Sequence, residues 1–208
     1  MKKVIIIPGL GDHMKLTKIA TKNWQKYGIE PIVYIMNWSD KENFESKLNK
    51  LSEFIKDLPK NDSKISVVGC SAGASAALNV FLKNQDTIDK AVSVCGRLRV
   101  GNQTGFMSLK TRAKTSSSFA ESVKLFENQE KSLTDDQRNK ILTIRSLFGD
   151  ELVPAPTSTI NGAKNVTIPT IEHTLSIYLA LSFFSEKITN FLKNQADPKA
   201  SAESSETC

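Results

Sequence analysis

Histidine occurs only twice in the 208 residues, as His13 and His173, so any chemistry that needs an imidazole has two places to find one. Cysteine is nearly as scarce. Three cysteines, an odd number without paired spacing, argue against a disulfide framework and against a zinc site. No apolar run approaches the roughly 18 residues that span a bilayer, and Val4–Ile7 meets Pro8 and Gly9 far short of a signal-peptide core. The expectation is a cytoplasmic protein with no integral membrane segment. The net charge of +6 comes largely from lysines scattered along the chain, without the base-stacking aromatic pattern of a nucleic-acid binder, so no nucleic-acid partner is expected. The tripeptides at Asn61, Asn102 and Asn165 fit the glycosylation pattern, and without a secretory signal they read as chance matches. No internal repeat is evident. The Ser-, Ala- and Glu-rich stretch from Ala196 to Cys208 lacks apolar periodicity and reads as a disordered tail behind one domain, residues 1–195. A chain of this length buries about 70 per cent of its unfolded surface, enough for one enzyme-sized core.

Against that background one stretch stands out. The β-branched run Lys64-Ile65-Ser66-Val67-Val68 leads into Gly69-Cys70-Ser71-Ala72-Gly73, and small, helix-forming residues follow as far as Leu82. Strand, sharp turn and helix is the setting in which G-x-S-x-G exposes a nucleophilic serine, because the glycines admit a turn too tight for side chains on either flank. A serine hydroxyl is a poor nucleophile at neutral pH and needs a positioned base, itself oriented by a carboxylate. The order Ser, then Asp or Glu, then His is available downstream. Asp150 stands at the tip of a predicted strand, Lys140–Phe148, and His173 follows a second, Asn165–Ile168, ahead of an apolar helix expected from Leu175 to Leu192. Glu151 and Glu172 are local rivals for the acid. Cys70 is a rival nucleophile, although the turn exposes its central residue, Ser71.

The first strand, Lys2–Pro8, is the short apolar run expected of a strand covered on both faces, and it ends in Pro8-Gly9-Leu10-Gly11-Asp12. Such a loop can aim backbone N–H groups at a developing oxyanion. The amides of Leu10 and Ala72 are the expected donors, with Gly9, Gly11, His13 and Cys70 expected near the substrate. Further along, the pattern predicts a helix over Met14–Tyr27 stopped by Gly28, a strand over Ile29–Trp38, and a helix capped within Asn37–Asp40 that runs to Leu58. A strand over Lys90–Gly96 is also predicted. Six strands alternating with helices predict an α/β fold, a mostly parallel central sheet of about six strands with helices on both faces.

Pro8-Gly9-Leu10-Gly11, Gly69-Cys70-Ser71-Ala72-Gly73, Asp150 with the Asp-x-x-Val-Pro pattern to Pro154, and His173 together resemble a small α/β-hydrolase of the lipase and esterase superfamily, over about residues 1–193. Pro8 stands where many members carry His, and the first strand here matches the family's third, so the sheet is minimal. The resemblance implies a serine hydrolase acting on a small-molecule carboxylic ester or thioester through Ser71, His173 and Asp150, with no metal and no organic cofactor. An acyltransferase or amidase with the same residues, or a silent hydrolase-fold binding protein, are the alternatives. The family commonly inserts a lid after the strand beside the elbow strand. Residues 97–139 fit one: Arg97, Arg99, Lys110, Arg112 and Lys114 occur with no acidic residue up to Ala120, and Phe106, Met107 and Leu109 precede a predicted helix through Phe119, Val123 and Phe126. The expectation is an acyl-binding apolar side, with Phe106 and Met107 in it, and a basic side favouring anionic substrates or an anionic surface.

Overall fold

The computed structural model describes residues 1–59 and 64–193. The tail from Ala196 and the Asn61 tripeptide lie outside the described residues. Six strands, β1 (Lys2–Ile7), β2 (Ile29–Val33), β3 (Ile65–Cys70), β4 (Ile88–Val94), β5 (Ile141–Ser146) and β6 (Lys164–Ile168), form one sheet in the order β2-β1-β3-β4-β5-β6. Every pairing is parallel. The helices are α1 (Met14–Ala20), α2 (Phe44–Asp57), α3 (Ala72–Lys83), α4 (Leu109–Arg112), α5 (Ser117–Glu130), α6 (Asp135–Asn139), α7 (His173–Leu181) and α8 (Ser185–Lys193). Among the described residues no helix is long and apolar enough to cross a membrane.

Alternate residues of the strands, the edge strand β6 excepted, feed two cores, as the two-residue period of a strand requires. Val4 and Ile6 join Val68, Val92 and Val94 under Trp24, α7 and α8, whereas Ile5 and Ile7 join Val67 and Ala91 under α2, α3 and α5. Pro31 is tolerated in β2 because β2 is an edge strand, where a missing N–H costs no inner ladder bond. The chain leaves β1 toward β2 on one side and returns to β3 on the other. The carboxyl ends of β1 and β3 therefore flank the crevice where open parallel sheets bind ligands.

Several boundaries differ from the sequence pattern. The expected helix over Met14–Tyr27 breaks after Ala20 into a 3-10 turn, Lys22–Tyr27, closed by Gly28 at φ 75°. The hydroxyls of Thr17 and Thr21 donate back to the carbonyls of His13 and Thr17, each at 2.9 Å, a competition that weakens a helix. Thr17 and Ala20 take the buried side of α1 while Leu16 and Ile19 stay exposed. The expected strand to Trp38 stops at Val33, because Asn37 turns the chain at φ 54° and sends Trp38 into the core. The cap of α2 is Asn43, whose side chain accepts from Ser46 N–H, and not Asn37–Asp40. The helix expected over Leu175–Leu192 is two, broken where Ser182 Oγ donates to Tyr178 O at 2.6 Å. Finally, α5 is the β4-to-β5 crossover packed on α3, with Phe119, Val123 and Phe126 in the core. Val123 and Phe126 are covered by the protein itself, so most of this apolar stripe is not a free acyl-binding face.

Ser75 and Asn79 of α3 are buried against α5, and their partners are there: Ser75 Oγ and Ser122 Oγ lie 2.7 Å apart and Asn79 Nδ2 donates to Ser122 O at 2.9 Å. Phe126, fully buried at this interface, is expected to cost about 3–5 kcal/mol when truncated to alanine. Phe183→Ala, at a position 77% exposed, should stay within about 0.5 kcal/mol. Urea unfolding of both variants, followed by circular dichroism, checks the difference.

Candidate active site

Ser71 is the single residue between the end of β3 and the start of α3, at φ 54° and ψ −119°. That conformation costs a side-chain-bearing residue on the order of 1–3 kcal/mol and persists only where the surroundings impose it. Here they do. Ser71 N–H donates to Val94 O at 3.0 Å and Ser71 O accepts from Ala74 N–H at 3.1 Å. A Cβ on Gly69 would strike the Gly73 carbonyl, and one on Gly73 would strike the carbonyls of Ile7 and Pro8. Both glycines are thus required by close approach of backbones. Although Ser71 occupies the N-cap position of α3, its hydroxyl makes no capping bond. It lies instead 2.8 Å from His173 Nε2.

His173 opens α7 and is 4% exposed. Its Nδ1 lies 2.7 Å from Asp150 Oδ2. A carboxylate can only accept, so Nδ1 carries the proton and donates to Asp150, which leaves Nε2 to accept from the Ser71 hydroxyl. The other Asp150 oxygen accepts from the amides of Leu152 and Val153, each at 2.8 Å. The turn that presents Asp150 is tied to the segment before His173, since Leu147 N–H donates to Ile168 O at 2.9 Å and Phe148 N–H to Thr170 O at 3.1 Å. The two rival acids hold backbone rather than imidazole. Glu151 Oε2 accepts from His173 N–H at 3.0 Å, and Glu172 caps α7 by accepting from Thr174 and Leu175. Those amides hold the Glu172 carboxyl below its ordinary range.

The loop after β1 runs against Ser71: a Cβ on Gly9 would come within 2.9 Å of Ser71 Cβ. Ala72, as the first residue of α3, has no intrahelical acceptor for its amide. A brace behind this loop escaped the sequence reading. Trp38 donates twice into it, from N–H to Asp12 Oδ2 at 3.1 Å and from the indole to Pro8 O at 3.2 Å. The buried Lys47 ammonium in turn donates to Met36 O and Asn37 O, each at 3.0 Å, and pairs with Asp40. Burial pushes the Asp12 carboxyl up, more than its backbone bonds and Lys47 draw it down. Only the proline and glycines of the loop were visible locally; its supports lie 26 and 30 residues away.

These groups open on a cavity of about 210 Å³ whose lining includes Gly9, Leu10, Gly11, His13, Cys70, Ser71 and His173. The His13 ring lies over Gly11. Leu16, Ala20, Ile177 and Leu181 make an apolar wall, and Phe119, Arg97 and Arg112 contribute from elsewhere. Phe106 and Met107, expected at the substrate, do not line it: Phe106 is 61% exposed beneath the Arg112 guanidinium, and Met107 O accepts from Arg97. Arg99 is also turned away, paired with Glu130. Cys70 is buried, which pushes its thiol up to about 12 and denies it the thiolate that a cysteine nucleophile needs.

No family model matches the sequence, and no curated protein matches it. Solved structures do match in fold. Est1E from Butyrivibrio proteoclasticus is 19% identical, with a TM-score of 0.66, over 92% of this chain and 86% of that one. The thioesterase domain from the curacin biosynthetic pathway is 14% identical, with a TM-score of 0.61, over 92% and 91%. The monoacylglycerol lipase of Paleococcus ferrophilus is 14% identical, with a TM-score of 0.60, over 91% and 93%. At such identities the likeness is one of fold.

Iodoacetamide at pH 8 is expected to leave Cys70 and Cys95, both buried, unmodified in the native protein and to alkylate both in denaturant. Peptide mass mapping before and after unfolding checks this.

Proposed function

On a chain with the α/β-hydrolase fold, we propose that Ser71, His173 and Asp150 act as a catalytic triad that hydrolyses a carboxylic ester or thioester. The observation that carries the reading is the unbroken hydrogen-bonded series Asp150, His173, Ser71, at 2.7 and 2.8 Å, ending on a serine held at positive φ beside the Gly9 loop. Two of the similar structures bear the names thioesterase and lipase, which supports an acyl carbonyl as the target.

Ser71 Oγ attacks the carbonyl carbon while Nε2 of His173 takes its proton. Asp150 keeps the ring in the tautomer that can accept and stabilises the imidazolium that forms. Negative charge on the former carbonyl oxygen is taken up by the amides of Leu10, in the loop beside Ser71, and Ala72, at the start of α3, as backbone dipoles that need no solvent rearrangement in the transition state. His173 then returns the proton to the departing alcohol or thiol, leaving an acyl group on Ser71. A water, activated by the same imidazole, completes hydrolysis.

A fluorophosphonate probe with intact-mass detection tests the reading. One adduct at Ser71 is expected on the wild type and none on Ser71→Ala or His173→Ala. Ester turnover should fall by roughly four to six orders of magnitude in either variant, because triad members act as a unit. Folded wild type that takes no adduct removes the proposal. Gly9→Ala, which crowds Ser71, is expected to slow labelling by roughly a hundredfold or more while the fold is kept, measured as the rate of adduct formation.

A further inference from the structure

Of the five basic side chains between Arg97 and Lys114, Arg97 alone is buried, at 1% exposure. Its guanidinium meets carbonyls only: Nε donates to Arg99 O at 3.3 Å, Nη1 to Met107 O at 2.6 Å and Nη2 to Val100 O at 2.6 Å. Five N–H groups are available, so one on each Nη remains. Arg112, at the end of α4, lines the same cavity, and its guanidinium lies over the Phe106 ring at 4.5 Å. Among the described residues neither arginine is ion-paired with a carboxylate. Of the acids that face this segment, Glu130 is paired with Arg99, while Glu127 accepts from the Val100 amide and acts on Arg97 only through space, without an ion pair. Burial first, and then the nearby Arg112 charge, disfavour the charged form of Arg97 more than the Glu127 carboxylate favours it.

A buried guanidinium without a salt-bridging carboxylate, beside a second one, is costly to fold. The arrangement makes sense if the missing anion arrives with the ligand, since the guanidinium fork matches the two oxygens of a carboxylate or phosphate. The cavity is two-sided in the required way. Its apolar wall comes from α1 and α7 on one face of the sheet, and its basic wall from the β4–β5 crossover, whose Leu98 and Phe119 pack on the other.

We propose that Arg97 and Arg112 form an anion subsite within the Ser71 cavity, so that the preferred ester or thioester carries an ionised carboxylate or phosphate a few bonds from its scissile carbonyl. This rests on Ser71 being the nucleophile of that cavity. The apolar wall then holds the uncharged arm, and the anion fixes which way round the substrate enters.

Calorimetric titration of the Ser71→Ala protein decides it without turnover, using monoethyl glutarate, neutral diethyl glutarate, and a short-chain acyl glycerol phosphate. At least one anionic ester is expected to bind about ten- to a hundredfold more tightly than the neutral one, the factor associated with charge-assisted hydrogen bonds. Whichever anion binds tighter identifies the oxyacid. Adding Arg112→Gln should remove most of that preference and leave the diethyl ester unaffected. Arg97→Lys, which keeps the charge but loses the fork, should weaken the anionic esters less, and circular dichroism verifies that both variants fold. Equal binding of charged and neutral esters, no saturable binding of any of them, or an equal loss for all in Arg112→Gln overturns the proposal. On the otherwise wild-type enzyme, Arg112→Gln should raise KM for the anionic ester about tenfold with kcat nearly unchanged. Anion preference without a Ser71 adduct would sink the triad reading and not this subsite; an adduct without anion preference would do the reverse.

Discussion

Three pieces of backbone crowd together where β1 ends, β3 ends and α3 begins. The carbonyls of Ile7 and Pro8 lie against Gly73, the Gly73 carbonyl lies against Gly69, and Gly9 lies against Ser71. No side chain fits at any of these contacts, and the parallel pairing of Ile7 with Gly69 holds the strands in that register. Ser71 is left with one way to go, up and out of the sheet at positive φ. The rest of the upper face depends on this crowding. It sets the loop of Leu10 beside the serine, starts α3 with its first amide free, and requires small residues along α3, where Ala72, Ala74, Ala76 and Ala77 are all buried. A helix so close to the sheet leaves room for α5 to pack over it.

The parallel sheet was legible because each strand is a short β-branched run closed by glycine, proline or a polar turn, and that signal is local. The order Ser71, Asp150, His173 was legible for the same reason, since each stands at a strand's carboxyl end, and the chain brings the three within hydrogen-bonding distance. What escaped the sequence depends on partners far along the chain. Trp38, Asp12 and Lys47 look like three unrelated residues until the fold sets them behind Pro8. The stripe Phe119, Val123, Phe126 has the same spacing whether it faces a ligand or α3, and only packing distinguishes the two. Arg97 and Arg99 are two residues apart and similar in the sequence, yet one is sealed at the cavity and the other turns to Glu130. Helix breaks at Thr17–Thr21 and Ser182 follow from hydroxyls that bond back to the helix, a choice that apolar periodicity does not register.

The cavity inherits its asymmetry from the two faces of the sheet. Helices α1 and α7 bring aliphatic side chains from one layer, and the long connection after β4 brings guanidinium groups from the other. Ser71 and His173 lie at the seam. A ligand that reaches the serine therefore has to satisfy both layers at once.

The chain's two tryptophans are divided between the same layers. Trp24 is buried beneath α7 and α8 with its indole N–H on Leu181 O at 2.7 Å, and Trp38 is buried on the opposite face with its ring edge-on to Phe119. Each half of the molecule thus carries its own chromophore. With either indole replaced by phenylalanine, the remaining emission reports solvent entry into one layer alone, and the Trp38 signal also samples the loop beside the serine. Unfolding that starts on one side of the sheet would show itself as two fluorescence transitions, in a protein that needs no attached dye.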